Sequence, residues 1–185
     1  MLRGAVGAPR CWTDAMLETP KEMDRLQNLL DASMASAGPH LRDIISDERR
    51  LDAPQLTERL QGLCLLVLAT GAADGRPLAG PVDGYFLHGT FWFSLGTQSV
   101  RVRHLAVRPA VSATHLPGEE LAVTVHGRAE CHALQDPACA ELRQAMLDAY
   151  LPKQGTSFEA WLENVDAIGA RIEPEKIFTF QMSAT

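Results

Sequence analysis

Leu63-Cys64-Leu65-Leu66-Val67-Leu68-Ala69-Thr70 is the stretch that decides the fold. It is an apolar run too short for most helices, and Gly62 and Gly71 bound it, so it reads as a buried strand. Downstream, Ala73-Asp74-Gly75-Arg76 carries the Asp-Gly signal of a hairpin. A second strand is expected from Pro77 to His88, interrupted by Gly80, Pro81 and Gly84. Such breakers mark a bulge, an edge, or a backbone that something else approaches. His88-Gly89-Thr90 turns the chain into a third strand, Phe91-Trp92-Phe93-Ser94-Leu95. A short helix follows over Val100 to Val107 and ends before Pro109.

Two more strands, Ala110 to His115 and Leu121 to Cys131, are joined by a Pro117-Gly118 turn. The second alternates, with Val123, Val125, Gly127 and Ala129 on one face and Thr124, His126, Arg128 and Glu130 on the other. Asp136-Pro137 opens a helix carrying Leu142, Met146 and Tyr150. A shorter helix around Phe158 to Val165 shows a capping box in Thr156 and Glu159, and Ala170 to Met182 gives the last strand. Upstream of Leu63 the period is helical. Thr19, Pro20 and Glu22 form a capping box ahead of Leu26, Leu29, Leu30 and Met34. Asp52 and Gln55 start a second helix that Gly62 ends, and Leu41 to Arg50 is ambiguous. The chain therefore reads as mainly β with flanking helices: an antiparallel sheet closed into a small barrel, preceded by N-terminal amphipathic helices. The expected division is a loose leader over 1–18, a helical segment over 19–61 and the barrel over 62–182.

The 185 residues suffice for one ordinary core, and 46% hydrophobic with 22% charged residues is usual for a globular protein. A net charge of -6 argues against a dedicated nucleic-acid binder, though it leaves room for a local basic patch. No window approaches the roughly 18 apolar residues of a membrane span, and the start lacks a secretory h-region. The four cysteines, Cys11, Cys64, Cys131 and Cys139, form no C-x-x-C pair. A reduced protein of the cytoplasm is the simplest reading.

Chemistry concentrates between Ser94 and Arg103. There a strand ends, a loop carries Thr97 and Ser99, and a helix opens with Arg101 and Arg103 nearby. Unpaired N–H groups, hydroxyls and guanidinium together suit a phosphate. An N-capped surface helix with solvated arginines has the same spacing. The Walker loop, G-x-G-x-x-G, H-E-x-x-H and G-x-S-x-G are all missing. The six histidines show no metal-ligand spacing, and His88 at a hairpin tip is expected in solvent. Asp83 reads equally as a functional or a turn carboxylate. Tyr85, Phe91, Trp92 and Phe93 read as core and interface.

The order of several short runs carries a resemblance. They are Leu68-Ala69-Thr70, Asp74-Gly75-Arg76-Pro77, Pro81-Val82, Phe91-Trp92-Phe93-Ser94, and Ser99-x-Arg101-x-Arg103-His104-Leu105. Arg108-Pro109-Ala110-Val111-Ser112, Val125-His126-Gly127-Arg128-Ala129-Glu130 and Arg171-Ile172-Glu173-Pro174-Glu175-Lys176-Ile177-Phe178 follow. Together, from about Leu63 to Phe180, they resemble the pyridoxamine 5'-phosphate oxidase-like superfamily.

The resemblance implies a split β-barrel holding FMN at the interface of a homodimer, and an oxidoreductase acting on a small-molecule substrate. It implies cofactor contacts from Gly80, Pro81, Val82 and Asp83 along the second strand and from Ser94 and Leu95 at the end of the third. Thr97, Ser99, Val100 and Arg101 would serve at the loop and helix start. Arg103 matches a basic position of the branch that uses the deazaflavin F-420. The authentic pyridoxamine phosphate oxidases carry an Arg near Gly80, a Lys near Tyr85 and a Gln near Ala122. This chain has none of the three, so vitamin B6 oxidation is not expected and F-420 stands as the alternative cofactor. A non-catalytic flavin or haem carrier, with His115 or His126 as haem ligand, or a ligand-sensing barrel, is the alternative from another class.

Overall fold

In the computed structural model, which describes residues 17–182, six strands close into one antiparallel barrel. The leader expected over 1–18 lies outside these residues but for its last two. The strands are β1 (Leu63–Gly71), β2 (Pro77–Leu87), β3 (Thr90–Gly96), β4 (Ala110–His115), β5 (Leu121–Ala133) and β6 (Ala167–Gln181). Their order round the barrel is β1-β2-β3-β6-β5-β4, and β4 pairs with β1 to complete it. Closure gives every strand two neighbours, but β3 reaches only residues 84–87 of β2, and residues 77–83 keep a free edge on that side. The helices are α1 (Pro20–Ala35), α2 (Pro39–Ile44), α3 (Ala53–Arg59), α4 (Val100–Val107), α5 (Ala140–Gln154) and α6 (Thr156–Asn164).

Local sequence explains most of these boundaries. Thr19 and Glu22 cap α1 reciprocally, and Asp52 with Gln55 caps α3 in the same way. The ambiguous Leu41 to Arg50 becomes the two turns of α2 and a 3-10 turn at Asp47–Arg49. His88 and Gly89 both have positive φ, 55° and 77°, the geometry of a two-residue hairpin that follows the strand twist. The second capping box expected, Thr156 with Glu159, does not form. Gly155 at φ 65° ends α5 and starts α6 in one step, so Thr156 is already helical and has no extended cap geometry.

Strand β2 pairs with β1 through nine consecutive residues without a bulge. Strand β3 pairs only with residues 84–87, so residues 77–83 of β2 have a free edge on that side, and of the three meanings its breakers allowed the edge and the close approach both hold. A side chain at Gly80 would sit 2.4 Å from Arg101 Nη2. The bulge lies elsewhere, between His126 and Gly127 of β5, where β6 carries the residue left over at Glu175. A Cβ on Gly127 would stand 2.1 Å from the Glu173 carbonyl oxygen.

Two apolar clusters fill the molecule. The inward residues of the barrel, such as Leu66, Leu68, Phe93, Val123 and Ile172, share one cluster with Leu26 and Leu30 of α1 and Leu56 of α3. The helical segment therefore completes the barrel core. His88 of the β2–β3 hairpin lies 3.1 Å from the Glu22 carboxylate, and a Cβ on Gly89 would meet Leu26 at 3.7 Å, so α1 sits at that end of the barrel. Helix α4 follows the far end of β3 and covers the opposite end with Leu105. A second cluster lies outside the barrel, where α5 and α6 cover Tyr85 and Leu87 of β2.

Candidate functional site

The site begins where β3 runs out. Gly96 ends the strand and Ser99 caps α4, its Oγ accepting from the Val102 N–H at 3.3 Å. That contact uses the oxygen as acceptor and leaves the Ser99 O–H free to donate. The first N–H groups of α4 have no partner inside the helix, so the turn presents donors and the positive end of the helix dipole. Arg101 lies in this first turn. Its guanidinium reaches the backbone of β2 at Gly80, where the missing Cβ makes the room. Arg101 Nε is buried and has no hydrogen-bond partner.

A buried guanidinium N–H without an acceptor is costly, and it asks for an anion. Phosphate supplies acceptors to the Ser99 hydroxyl, the helix N–H groups and Arg101 together. The residues present therefore fit the phosphate of a flavin nucleotide.

The other expected residues divide into three groups. Leu95 is buried in the barrel core and Val82 packs against it, so both offer backbone only. Ser94 is half-buried opposite Gly169, Pro81 is exposed, and Val100 is exposed on α4. Thr97 is engaged elsewhere: its hydroxyl and its N–H both donate to Asp166, so neither is left for a phosphate. Arg103 is exposed and donates to the Gln98 carbonyl at 3.3 Å, away from Gly80. The geometry brings together Gly80, Ser99 and Arg101.

Asp83 is no turn carboxylate. It lies mid-strand, opposite Leu65 of β1, and accepts a hydrogen bond from the Tyr150 hydroxyl of α5. Tyr150 stacks on Phe158 at 4.9 Å. Burial, with the Asp83 carboxylate beside it, pushes the Tyr150 phenol up to about 12. The Tyr85 hydroxyl is buried nearby without a partner, and burial raises its pKa strongly. Tyr150 escaped the sequence reading as a site residue, because its i, i+4 spacing from Met146 marks only an apolar helix face.

The histidines are spoken for in different ways. His115 is buried, its Nδ1 donating to the Leu65 carbonyl at 3.0 Å, a bond that leaves Nε2 with the ring's lone pair. His126 is exposed, its Nδ1 bound to the Ser112 hydroxyl at 2.8 Å. His88, expected in solvent, is wedged between Glu22 of α1 and Glu141 of α5 at 3.1 and 2.5 Å. Its turn conformation points the ring back over both helices, which hairpin spacing alone does not reveal. Among the described residues, no group of three or more His, Cys, Asp or Glu is placed to hold a metal ion, and no helix is long and apolar enough to cross a membrane.

The sequence profile of the pyridoxamine 5'-phosphate oxidase family matches residues 53–179. The chain belongs to that family. The match begins ten residues before Leu63 and so takes in α3. Comparison with curated proteins gives no match. Among solved structures, HutZ, the haem storage protein of Vibrio cholerae, is similar with a TM-score of 0.57 and 20% identity, covering 71% of this chain and 97% of its own. A conserved hypothetical protein of Mycobacterium tuberculosis has a TM-score of 0.51 and 16% identity, covering 82% and 89%. A FAD-binding protein of Mesorhizobium loti has a TM-score of 0.50 and 20% identity, covering 71% and 93%. At these identities the likeness speaks for the fold, a split barrel. Function must come from the site.

Proposed function

We propose that this family member binds FMN through Gly80, Ser99 and Arg101 and works as a homodimeric oxidoreductase on a small-molecule substrate. The observation that carries the reading is Arg101, closed on Gly80 with a buried, unpartnered Nε. Bound flavin would supply the hydride chemistry, while the protein supplies binding, orientation and electrostatics. The β2 backbone from Gly80 to Asp83 would flank the ring. The departures from the authentic pyridoxamine phosphate oxidases near Gly80, Tyr85 and Ala122 support a substrate other than pyridoxamine phosphate.

Support for a dimer comes from the outer face of β1. Leu65 and Val67 are 60% and 50% exposed and pair across to Asp83 and Pro81. This apolar stripe borders the ring-bearing stretch, so a second copy packed on it would also cover the cofactor. Cys64, Cys131 and Cys139 are free thiols, in keeping with a cytoplasmic enzyme.

Titrating the purified protein with FMN, followed by visible absorbance, tests the reading. Submicromolar binding that weakens by about tenfold or more in Arg101→Ala supports it. Equal binding by Arg101→Ala sinks the phosphate assignment. Binding of F-420 but not FMN moves the protein to the deazaflavin reading.

A further inference from the structure

Strand β2 changes character at Asp83. Pro77, Ala79 and Pro81 present their outward faces to solvent, Asp83 is half-buried, and Tyr85 is only 1% exposed under α5. Asp83 is thus the last outward residue of the open half of the strand and the first that the helical cover touches. Tyr150 makes that touch, its O–H donating to Asp83 Oδ2. The phenol ring is itself held, stacked on Phe158, which lies 5.2 Å from Trp161, and with Lys153 Nζ 5.8 Å from the ring centroid. The carboxylate therefore accepts from a donor whose ring is packed in place.

From this arrangement, and resting on the flavin reading above, we infer that Asp83 sets the reduction potential of the bound flavin and that Tyr150 is its positioning residue. A carboxylate fixed beside the ring-bearing backbone opposes the arrival of electrons on the ring. In a partly screened setting one such charge shifts the oxidised-to-reduced equilibrium by about tenfold. The Tyr150 hydrogen bond fixes where the charge sits, because a phenol held from two sides leaves the carboxylate one preferred rotamer. Tyr85 has no part in the contact; its buried hydroxyl marks how dry the cluster is.

The test uses FMN-loaded full-length protein and a dye of known potential. Four proteins are compared: wild type, Asp83→Asn, Tyr150→Phe and the double variant. Tyr150→Phe keeps the ring stacked on Phe158 and so preserves the packing. With every variant saturated with FMN, the expected result is Asp83→Asn moved about tenfold toward reduced flavin, roughly 30 mV for two electrons. Tyr150→Phe should shift the equilibrium only while Asp83 is present, so the double variant should match Asp83→Asn alone. A merely structural Tyr150 would give the same shift in both backgrounds. An unchanged potential in Asp83→Asn with FMN still bound overturns this inference and leaves the flavin reading standing. If wild type binds no FMN, the flavin reading falls and this inference with it.

Discussion

The two ends of the barrel are closed by helices of opposite character. At the hairpin end, α1 and α3 bring in Leu26, Leu30 and Leu56, and the buried Ser33 and Thr179 hydroxyls that they cover have partners. Ser33 Oγ donates to the Leu29 carbonyl and accepts from the Ile177 N–H at 2.9 Å, while the Leu51 N–H donates to Thr179 Oγ1 at 3.0 Å. At the other end, α4 is eight residues long, buries only Leu105 fully, and leaves Arg101 Nε without an acceptor. The hairpin end is a plug of apolar side chains, and the donor left over beside it, Trp92 Nε1, is neutral. The donor left over under α4 belongs to a guanidinium beside a helix N-terminus, a pairing that suits an anion.

The contrast can be broken most forcefully at the plug. Leu56 is fully buried, so Leu56→Ala should lower unfolding free energy by about 2–5 kcal/mol in urea titration and leave FMN affinity per folded molecule unchanged. Arg101→Ala should do the reverse, weakening FMN binding by about 1.5–3 kcal/mol with little loss of stability. If both variants change both quantities, the two ends are not independent. Gly80→Ala sharpens the site end. Its Cβ would push on Arg101 Nη2, the mobile tip of a long side chain, so affinity should fall by about 1 kcal/mol, less than in Arg101→Ala. Larger loss than in Arg101→Ala would mean that Gly80 acts through the backbone instead.

The smallest effect is expected at His88, which ties α1 and α5 to the hairpin. Burial works against its charge, but hydrogen bonds and charge from Glu22 and Glu141 more than offset this, and its pKa is raised. A raised folded-state pKa means that the charged form stabilises the fold. That contribution is fully present below the unfolded value of about 6.5 and is lost as pH rises through the folded value. His88→Gln should therefore lose less melting temperature between about pH 6 and pH 8 than wild type does, a difference worth under about 1 kcal/mol. Equal pH dependence in the two proteins would remove His88 from the account.

Much of the fold was legible because strands and turns announce themselves locally. The Asp74-Gly75 and His88-Gly89 turns, the alternation of β5 and the caps at Thr19, Asp52 and Ser99 are short-range signals, and each fell where it was read. The bulge did not. Glu175 is left over because two strands distant in sequence meet at Gly127 and Pro174, and neither strand records the other's register. The same reason separates the site residues. Ser99 and Arg101 are neighbours on one helix, so sequence could propose them together. Thr97 belonged to the same run, yet Asp166 claims it from the far end of the chain.

By itself, the sequence determined the barrel's strands, the capped helices and a donor-rich turn at the start of α4, because each depends on residues within a few positions. The tertiary structure alone decided that Gly80 makes room for Arg101, that Tyr150 donates to Asp83, and that the Arg101 Nε donor is buried without a partner. Those outcomes depend on which distant groups find each other once the core has closed, and a pattern along the chain does not carry that information.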